Sequence, residues 1–410
     1  SAEGTFDGVR RRLDHLVDLG VTAVELMPIS DFPGTRNWGY DGVLHFAPDA
    51  VYGAPDDLKR LVDEAHARGL TMFLDVVYNH FGPDGNYLNA YAAGFFDPDV
   101  HTPWGSAVNY AARPVRDFVI ENALYWLRED RFDGLRFDAV DQIRDASAEH
   151  LLEELAATVR SRLTAGEPGR HIHLVLENDR NQATLLERSA GRPQYYDAQW
   201  DDDIHHVYQH LASGEAGGYY ADYADHAVER IDMLAGTAEL HALTSIYLLA
   251  PQIPLIFMGE EWGSRQPFLF FTDFHDELAD AVREGRRREF ERFPQFADPG
   301  ARAHIPDPND PSTFTTSKLD WDEQRTDPHD GRLAHVKELL RLRRDRVVPL
   351  LRGANADGQG GGSFSVERMN GLHVSWRLPG GTLTLTANLG PDEWIRTSPA
   401  VDVGELLYET

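Results

Sequence analysis

The chain has 410 residues, of which 42% are hydrophobic and 26% charged, a composition typical of a globular protein with room for one large domain and a smaller one. Its net charge of −28 disfavours nucleic acids and anionic membranes as partners, and no apolar run is long enough to span a bilayer. The absence of cysteine excludes disulfides and thiolate metal sites and suits the cytoplasm, which is the compartment that we predict.

Helices and short apolar strands alternate along most of the chain, as judged from the spacing of apolar residues. In chain order, the predicted elements are a helix over 6–20 that stops at Gly20, the strand VTAVELMPI, the helix PDDLKRLVDEAHARG, the strand LTMFLDVVYNH, the helix VRDFVIENALYWLRED, the strand DGLRFDAV, the helix SAEHLLEELAATVRSRL, the strand IHLVLEND, the short helix QATLLERSAG, the strand QYYDAQW, a helix near 236–250 and the strand IPLIFMGEEW. This alternation predicts a parallel sheet.

Polar residues cluster where these strands end. They are Asp75, Asn79, His80, Asp138, Glu177 and Glu260. Because the carboxyl ends of the strands form the catalytic face of a (β/α)8 TIM barrel, we predict an α/β fold of that kind. A doubly wound open sheet is the alternative, but no Gly-x-Gly-x-x-Gly follows any strand, which disfavours a nucleotide-binding fold.

The pattern changes from about Pro349. The stretch GSFSVERMNGLHVSWRLPGGTLTLTANLG alternates apolar and polar residues around glycine turns, which predicts antiparallel strands. We therefore predict a catalytic barrel over residues 1–348 and a small antiparallel β domain over 349–410. Only six barrel strands are found, and the first and seventh strands are apparently absent from the chain.

The stretch DGLRFDAVDQI places an arginine and an aspartate inside an apolar strand. Arg136 and Asp138 are two residues apart, so they project to one face, while Leu135 and Phe137 project to the other. A buried ion pair is weak evidence for stability because of its desolvation cost. Two interpretations follow: a structural salt bridge, or a catalytic carboxylate that its neighbour holds ionised.

A second carboxylate ends the next predicted strand. Asp138 and Glu177 are the pair of acids that glycoside hydrolysis needs, and a retaining enzyme holds them about 5–5.5 Å apart. Arg136 suits Asp138 to the role of nucleophile, and the apolar run before Glu177 suits that residue to the role of acid. We expect Asp179 to lie on the same strand face as Glu177 and to orient it or raise its pKa.

These stretches resemble a known family. DVVYNH (Asp75–His80), GLRFDAV (Gly134–Val140) and LEND (Leu176–Asp179) are similar, in order and spacing, to the first three motifs of the α-amylase superfamily of glycoside hydrolases. NWGYDGV and FGPDGNYL resemble the subgroup that holds glycogen-branching enzymes and malto-oligosyltrehalose trehalohydrolases. The stretches that resemble the trehalohydrolases more than the branching enzymes are DAQWDDDIHHVYQHL, GYYADY, LIFMGEEWG and PFLFFTDFHDEL.

The resemblance implies a reaction. Asp138 would be the nucleophile that forms a glucosyl-enzyme, Glu177 would protonate the glycosidic oxygen and then activate water, and Arg136 would hold Asp138 ionised. The bond cleaved would be the α-1,4 linkage next to the terminal trehalose of malto-oligosyl trehalose, so the expected partners are this substrate and related α-1,4-glucans. The subgroup requires no metal or cofactor.

Other residues take supporting or binding roles by the same resemblance. His80 would hydrogen-bond the glucose at the cleavage site, Tyr40 would stack on that ring, and Asp75, beside Asn79, would fix Arg136 and the loop. Trp200 and Asp202 are candidates for binding the trehalose end, although Asp201–Asp203 could equally be a helix N-cap cluster. A metal site at His205 and His206 is disfavoured, because adjacent residues on a helix point apart.

One motif of the superfamily is missing. The fourth motif ends in His-Asp on the seventh strand, and no such pair occurs between Tyr223 and Pro254; His275-Asp276 follows the eighth strand and is taken as unrelated. The enzyme is either truly reduced, or the sequence joins segments of a longer chain. We favour the second explanation, because the loss of whole strands would leave unpaired edges. A step much longer than about 3.8 Å between consecutive Cα atoms in 223–236 would reveal it.

Three functions are weighed. The first is a retaining hydrolase that releases trehalose, the second a 1,4-α-glucan branching enzyme, and the third a non-catalytic glucan-binding relative, which the missing aspartate would permit.

Overall fold

The computed structural model describes residues 3–164, 170–189, 192–201, 203, 206, 237–352, 362–367, 371–388 and 405–409. The chain divides into two compact units. The first comprises Ser1–Asp202, Pro267–Gly285 and Pro306–Ser317, and the second comprises Asp203–Gln266, Arg286–Ile305 and Lys318–Thr410. The boundary predicted at residue 348 stays a prediction, and the segment 223–236 lies outside the described residues.

The first unit begins with alternating helices and strands, as predicted. Up to residue 200 these are α1 (Phe6–Arg10), α2 (Leu13–Leu19), β1 (Ala23–Leu26), β2 (Ser30–Asp31), β3 (Leu44–Pro48), α3 (Pro55–Ala67), β4 (Thr71–Val76), α4 (Leu88–Tyr91), β5 (Phe96–Thr102), β6 (Gly105–Val108), α5 (Arg113–Arg128), β7 (Gly134–Phe137), α6 (Leu151–Val159), β8 (His173–Glu177), β9 (Arg188–Ser189), β10 (Arg192–Pro193) and β11 (Ala198–Trp200).

Five of these strands form one parallel sheet in the order β1-β4-β7-β8-β11. Each strand lies beside the next parallel strand along the chain, without the reversal of order that defines a doubly wound sheet. This is the arrangement of a barrel wall. The register pairs Asp75 with Arg136 and Glu177 with Trp200, so the carboxyl ends of neighbouring strands meet at one edge.

The two faces of this sheet differ. Leu74, Leu135 and Leu176 are buried in the core against the helices, whereas the alternating residues project to the opposite face. Helix α3 shows why the helices pack there, since its buried residues Leu58, Leu61, Val62 and Ala65 follow helical spacing. Burial of each large side chain contributes about 1.5–3 kcal/mol, which holds the site-bearing strands in register.

The helices between residues 237 and 352 are α7 (Thr237–Leu249), α8 (Asp276–Glu289), α9 (Pro299–Arg302), α10 (Pro311–Thr316), α11 (His329–Leu342) and α12 (Val348–Leu351). Three antiparallel strands follow in the second unit, β12 (Gly362–Glu367), β13 (Gly371–Leu378) and β14 (Gly381–Asn388). They confirm the predicted antiparallel sheet near the C-terminus. No helix within the described ranges has the length and apolar character needed to cross a membrane.

The predicted strand IPLIFMGEEW is wrong. Residues 254–262 contain no strand, and Ile253, Leu255 and Met258 are 81%, 47% and 48% exposed. The backbone N–H of Leu255 donates to the hydroxyl of Tyr247 instead of to a neighbouring strand. An apolar run becomes a strand only where another strand supplies its hydrogen bonds, and no described strand does so here.

Candidate active site

Arg136 is the centre of a buried charged cluster at the carboxyl ends of the parallel strands. Its side chain is 2% exposed, and Nη1 lies 2.8 Å from both carboxylate oxygens of Asp75. Nη1 also lies 2.9 Å from Oδ1 of Asp138, and Nη2 lies 2.7 Å from Oε2 of Glu177. Burial alone would lower the pKa of Arg136, but the three carboxylates raise it well above its ordinary value. The guanidinium group of Arg136 therefore contacts three carboxylates at once.

Asp75 is the inaccessible member of the cluster. Its side chain is 2% exposed, and the Tyr40 hydroxyl donates to its Oδ2 at 2.8 Å. Burial and the neighbouring charge of Asp75 raise the pKa of Tyr40, so this hydroxyl keeps its proton. Tyr40 and Asp75 thus hold the guanidinium on the side of the cluster that is closed to solvent.

Asp138 follows the last residue of β7 and reaches the solvent-facing side of the cluster, with 13% of its side chain exposed. Besides Arg136, the Nδ2 group of Asn79 donates to Oδ2 of Asp138 at 3.0 Å and to its backbone oxygen at 2.9 Å. Each carboxylate oxygen therefore has a donor that fixes its orientation. The alternation predicted for Arg136 and Asp138 agrees with this contact.

Glu177 is the last residue of β8 and is 23% exposed at its side chain. Its Oε2 accepts a hydrogen bond of 2.7 Å from the backbone N–H of Ala139, in addition to the Arg136 contact. Ala139 directly follows Asp138 and has left-handed backbone angles, φ 41° and ψ 49°. This turn brings the backbone after Asp138 onto Glu177, so the two acids lie at the same guanidinium group.

His80 lies close enough to Asp138 for the charge of that carboxylate to act on it. Its Nε2 is 2.9 Å from the backbone oxygen of Tyr40, and burial lowers the pKa of His80 to about 4, so the ring is neutral at neutral pH. The ring of Trp104 stacks on His80 with centroids 4.2 Å apart. Trp104 is 44% exposed and was missed by the sequence analysis, because it lies 24 positions away on the turn between β5 and β6.

The remaining predicted residues have different outcomes. Trp200 ends β11, and its ring lies 4.1 Å from the guanidinium carbon of Arg136, so it contacts the cluster as a cation–π partner. Asp202 and His205 lie outside the described residues. The predicted position of Asp179 is wrong: β8 ends at Glu177, so Asp179 lies in an exposed turn rather than on the strand face.

Glu25 is a further member of the cluster that the sequence analysis missed. It lies on β1, paired with Phe73 of the neighbouring strand, and its charge acts on Asp75. Burial raises the pKa of Glu25 from 4.5 to about 7, against the opposing effect of Arg136. The signal available in the sequence was its place in VTAVELMPI, where it alternates with Val24 and Leu26.

Comparison with known proteins identifies the family. The model of the alpha amylase catalytic domain matches residues 1–96. Malto-oligosyltrehalose trehalohydrolase of Arthrobacter ramosus is 42% identical over 402 residues, covering 84% of this chain and 68% of that protein. The Saccharolobus solfataricus protein of the same name is 33% identical over 473 residues, covering 100% of this chain and 79% of that protein. A crystal structure described as an alpha amylase from Salmonella typhimurium has 40% identity and a TM-score of 0.90, covering 100% of this chain and 76% of its own.

The parallel strands, the acid cluster and these matches define a glycoside hydrolase of the α-amylase class, with a (β/α)8 barrel and a C-terminal β domain. This confirms the predicted fold over the doubly wound alternative. Within that class, the chain belongs to the malto-oligosyltrehalose trehalohydrolase family. The family is favoured over the branching enzymes, because the relatives that carry its name match over most of the chain.

The match to the Saccharolobus protein also bears on the missing strands. It extends over 473 positions, whereas this chain has 410 residues, so at least 63 positions fall opposite gaps in this chain. The relative therefore carries positions that this chain lacks, which both explanations for the missing strands would produce.

Proposed function

We propose that the chain is a retaining glycosidase that cleaves the α-1,4 bond next to the terminal trehalose of malto-oligosyl trehalose and releases trehalose. The observation that carries the proposal is that two accessible carboxylates, Asp138 and Glu177, share one guanidinium, while the third carboxylate of the cluster is closed to solvent. The names of the relatives that match over 84% and 100% of the chain supply the substrate class.

Asp138 takes the role of nucleophile. Arg136 and Asn79 each hold one of its carboxylate oxygens, which aims the group and balances its charge. Attack on the anomeric carbon forms a covalent glucosyl ester and breaks the bond to the leaving sugar. Asp75 cannot take this role, because 2% exposure gives a sugar no access to it.

Glu177 takes the role of acid and then base. Its Oε2 accepts from Arg136 and from the N–H of Ala139, so the proton that the leaving oxygen needs is carried by Oε1. After the first sugar leaves, the same carboxylate removes a proton from the water that hydrolyses the ester.

The binding roles complete the proposal. His80 and Tyr40 line the site of the glucose that reacts, and Trp200 and Asp202 bind toward the trehalose end. Malto-oligosyl trehalose and related α-1,4-glucans are the proposed partners. The cytoplasm is the proposed compartment, since the chain has no cysteine.

Product analysis tests the function. The chain is incubated with malto-oligosyl trehalose, and the products are separated by chromatography. We expect free trehalose from the parent and from Asp179→Asn, an exposed neighbour that serves as the matched control, and a loss of at least about 1,000-fold with Asp138→Asn or Glu177→Gln. New α-1,6 branches would support the branching enzyme instead. Substrate binding without any product would support the binding-only relative.

A further inference from the structure

A second cluster of polar side chains lies at the other end of two of the same strands. His173 opens β8, His171 precedes it by two positions, and Asp197 directly precedes β11. Glu177 and Trp200 end these strands, so the cluster is at the amino ends, away from the acid cluster. One ligand atom from each of the three residues lies within 4.8 Å of the other two.

The three side chains form a set suited to a transition metal. Two imidazole nitrogens and one carboxylate oxygen are ligands that Zn²⁺ prefers, and a tetrahedral site with bonds near 2.1 Å places its ligand atoms about 3.4 Å apart. His171 Nε2 and Asp197 Oδ1 are 2.7 Å apart, joined by a proton. The His171 and His173 rings lie beside each other with centroids 4.5 Å apart. To hold the ion, the His171–Asp197 contact would open by about 0.7 Å, and the His173 nitrogen, which lies within 4.8 Å of both ligand atoms, would adopt the same spacing.

The groups around the cluster hold Asp197 in a suitable orientation. Oδ2 of Asp197 accepts from Nη2 of Arg160 at 2.6 Å and from the N–H of Leu174 at 2.8 Å, which turns Oδ1 toward His171. Such outer partners orient metal ligands in known sites. His173 is fixed as well, because its ring stacks on Phe73 with centroids 5.3 Å apart.

We propose that His171, His173 and Asp197 bind a divalent transition-metal ion, with Zn²⁺ as the favoured ion and water as its fourth ligand. The ion takes the place of the proton between His171 and Asp197, and that proton leaves to solvent. The positive charge of Arg160 opposes the ion, so the expected affinity is in the micromolar range rather than that of a closed structural zinc site. The ion takes no part in cleavage of the sugar, since the site lies at the opposite ends of β8 and β11 from the acid cluster.

Calorimetry tests the site. The full chain, without a histidine tag and stripped of metal, is titrated with ZnCl₂. We expect one ion per chain, and a loss of affinity of about tenfold or more with His171→Ala or His173→Ala. His66→Ala is the matched control: His66, in the last turn of helix α3, lies 2.7 Å from Asp133 in another His–Asp pair, and the variant should bind zinc as the parent does.

His171 is exposed, so its substitution should leave the fold intact. A change in zinc affinity of the His171→Ala variant therefore reports on the site itself. Cobalt gives a second readout, because Co²⁺ in a tetrahedral site absorbs visible light and a hexahydrate scarcely does. Binding that His171→Ala leaves unchanged, or zinc uptake equally weakened by His66→Ala, would overturn the proposal. A parent that binds no zinc would overturn it too, whatever its activity toward malto-oligosyl trehalose.

Discussion

At the scale of single residues, the site is organised by one cation among several acids. Arg136 contacts Asp75, Asp138 and Glu177, and Glu25 lies close enough for its charge to act on Asp75. One positive charge does not balance four ionised carboxylates. Burial raises the pKa of Asp75 well above its ordinary value and that of Glu25 to about 7, so a proton on either carboxyl group removes one negative charge from the cluster.

The proton on Glu25 gives the first prediction at this scale. Its folded pKa of about 7 exceeds its ordinary value of 4.5, so its contribution to stability is fully present below pH 4.5 and is lost as the pH rises through 7. We expect the free energy of unfolding of the parent to fall by about 3 kcal/mol through this group as the pH rises. The Glu25→Gln variant should lack this fall, as measured by urea unfolding at about pH 5 and about pH 8.

Glu129→Gln is the matched control, since Glu129 is an exposed residue at the end of α5. It should keep the pH dependence of the parent. If Glu25→Gln also kept that dependence, Glu25 would be ionised in the folded chain and the proposed charge balance would be wrong.

At the scale of elements, the sequence predicted those features that local patterns determine. The strands β4, β7 and β8 were visible as apolar runs, and the polar residues at their ends indicated the edge of the sheet where the acid cluster lies. Trp104 and Glu25 were missed for a different reason, because their neighbours in space, His80 and Asp75, are distant in sequence. Hydrophobic periodicity carries no information on such pairings.

The wrongly predicted strand has the same cause, a dependence on neighbours that are distant in sequence. IPLIFMGEEW has the composition of a buried strand, but a strand also needs a hydrogen-bonding neighbour, which its own residues cannot specify. Asp179 shows the local version of this limit, since the alternation of faces applies only as far as the strand extends and β8 ends at Glu177.

The exposed apolar segment gives a prediction at the scale of elements. Ile253 is 81% exposed and Leu174 is fully buried, so Ile253→Ala should change the free energy of unfolding by less than about 0.5 kcal/mol, whereas Leu174→Ala should lower it by about 2–5 kcal/mol. Chemical denaturation of both variants measures the difference. A cost of 2 kcal/mol or more for Ile253→Ala would mean that this segment is a packed strand after all.

At the scale of the whole molecule, the matches span only part of the relatives, covering 68% of the Arthrobacter protein and 79% of the Saccharolobus protein. The parallel sheet nevertheless keeps the strands that supply Asp75, Arg136, Asp138 and Glu177 in sequential order. The acid cluster is complete within the first unit, so its assembly depends on five strands and the helices packed on them.

The central claim is that Asp138 attacks the sugar while Glu177 protonates the departing oxygen in the same pocket. A 5-fluoroglucosyl fluoride, which forms the glycosyl ester faster than water removes it, tests this claim when the labelled chain is digested and mapped by mass spectrometry. We predict one fluoroglucosyl group on the peptide that contains Asp138, and none in Asp138→Asn. A label on any other carboxylate would contradict this mechanism. So would an Asp138→Asn variant that releases trehalose as fast as the parent.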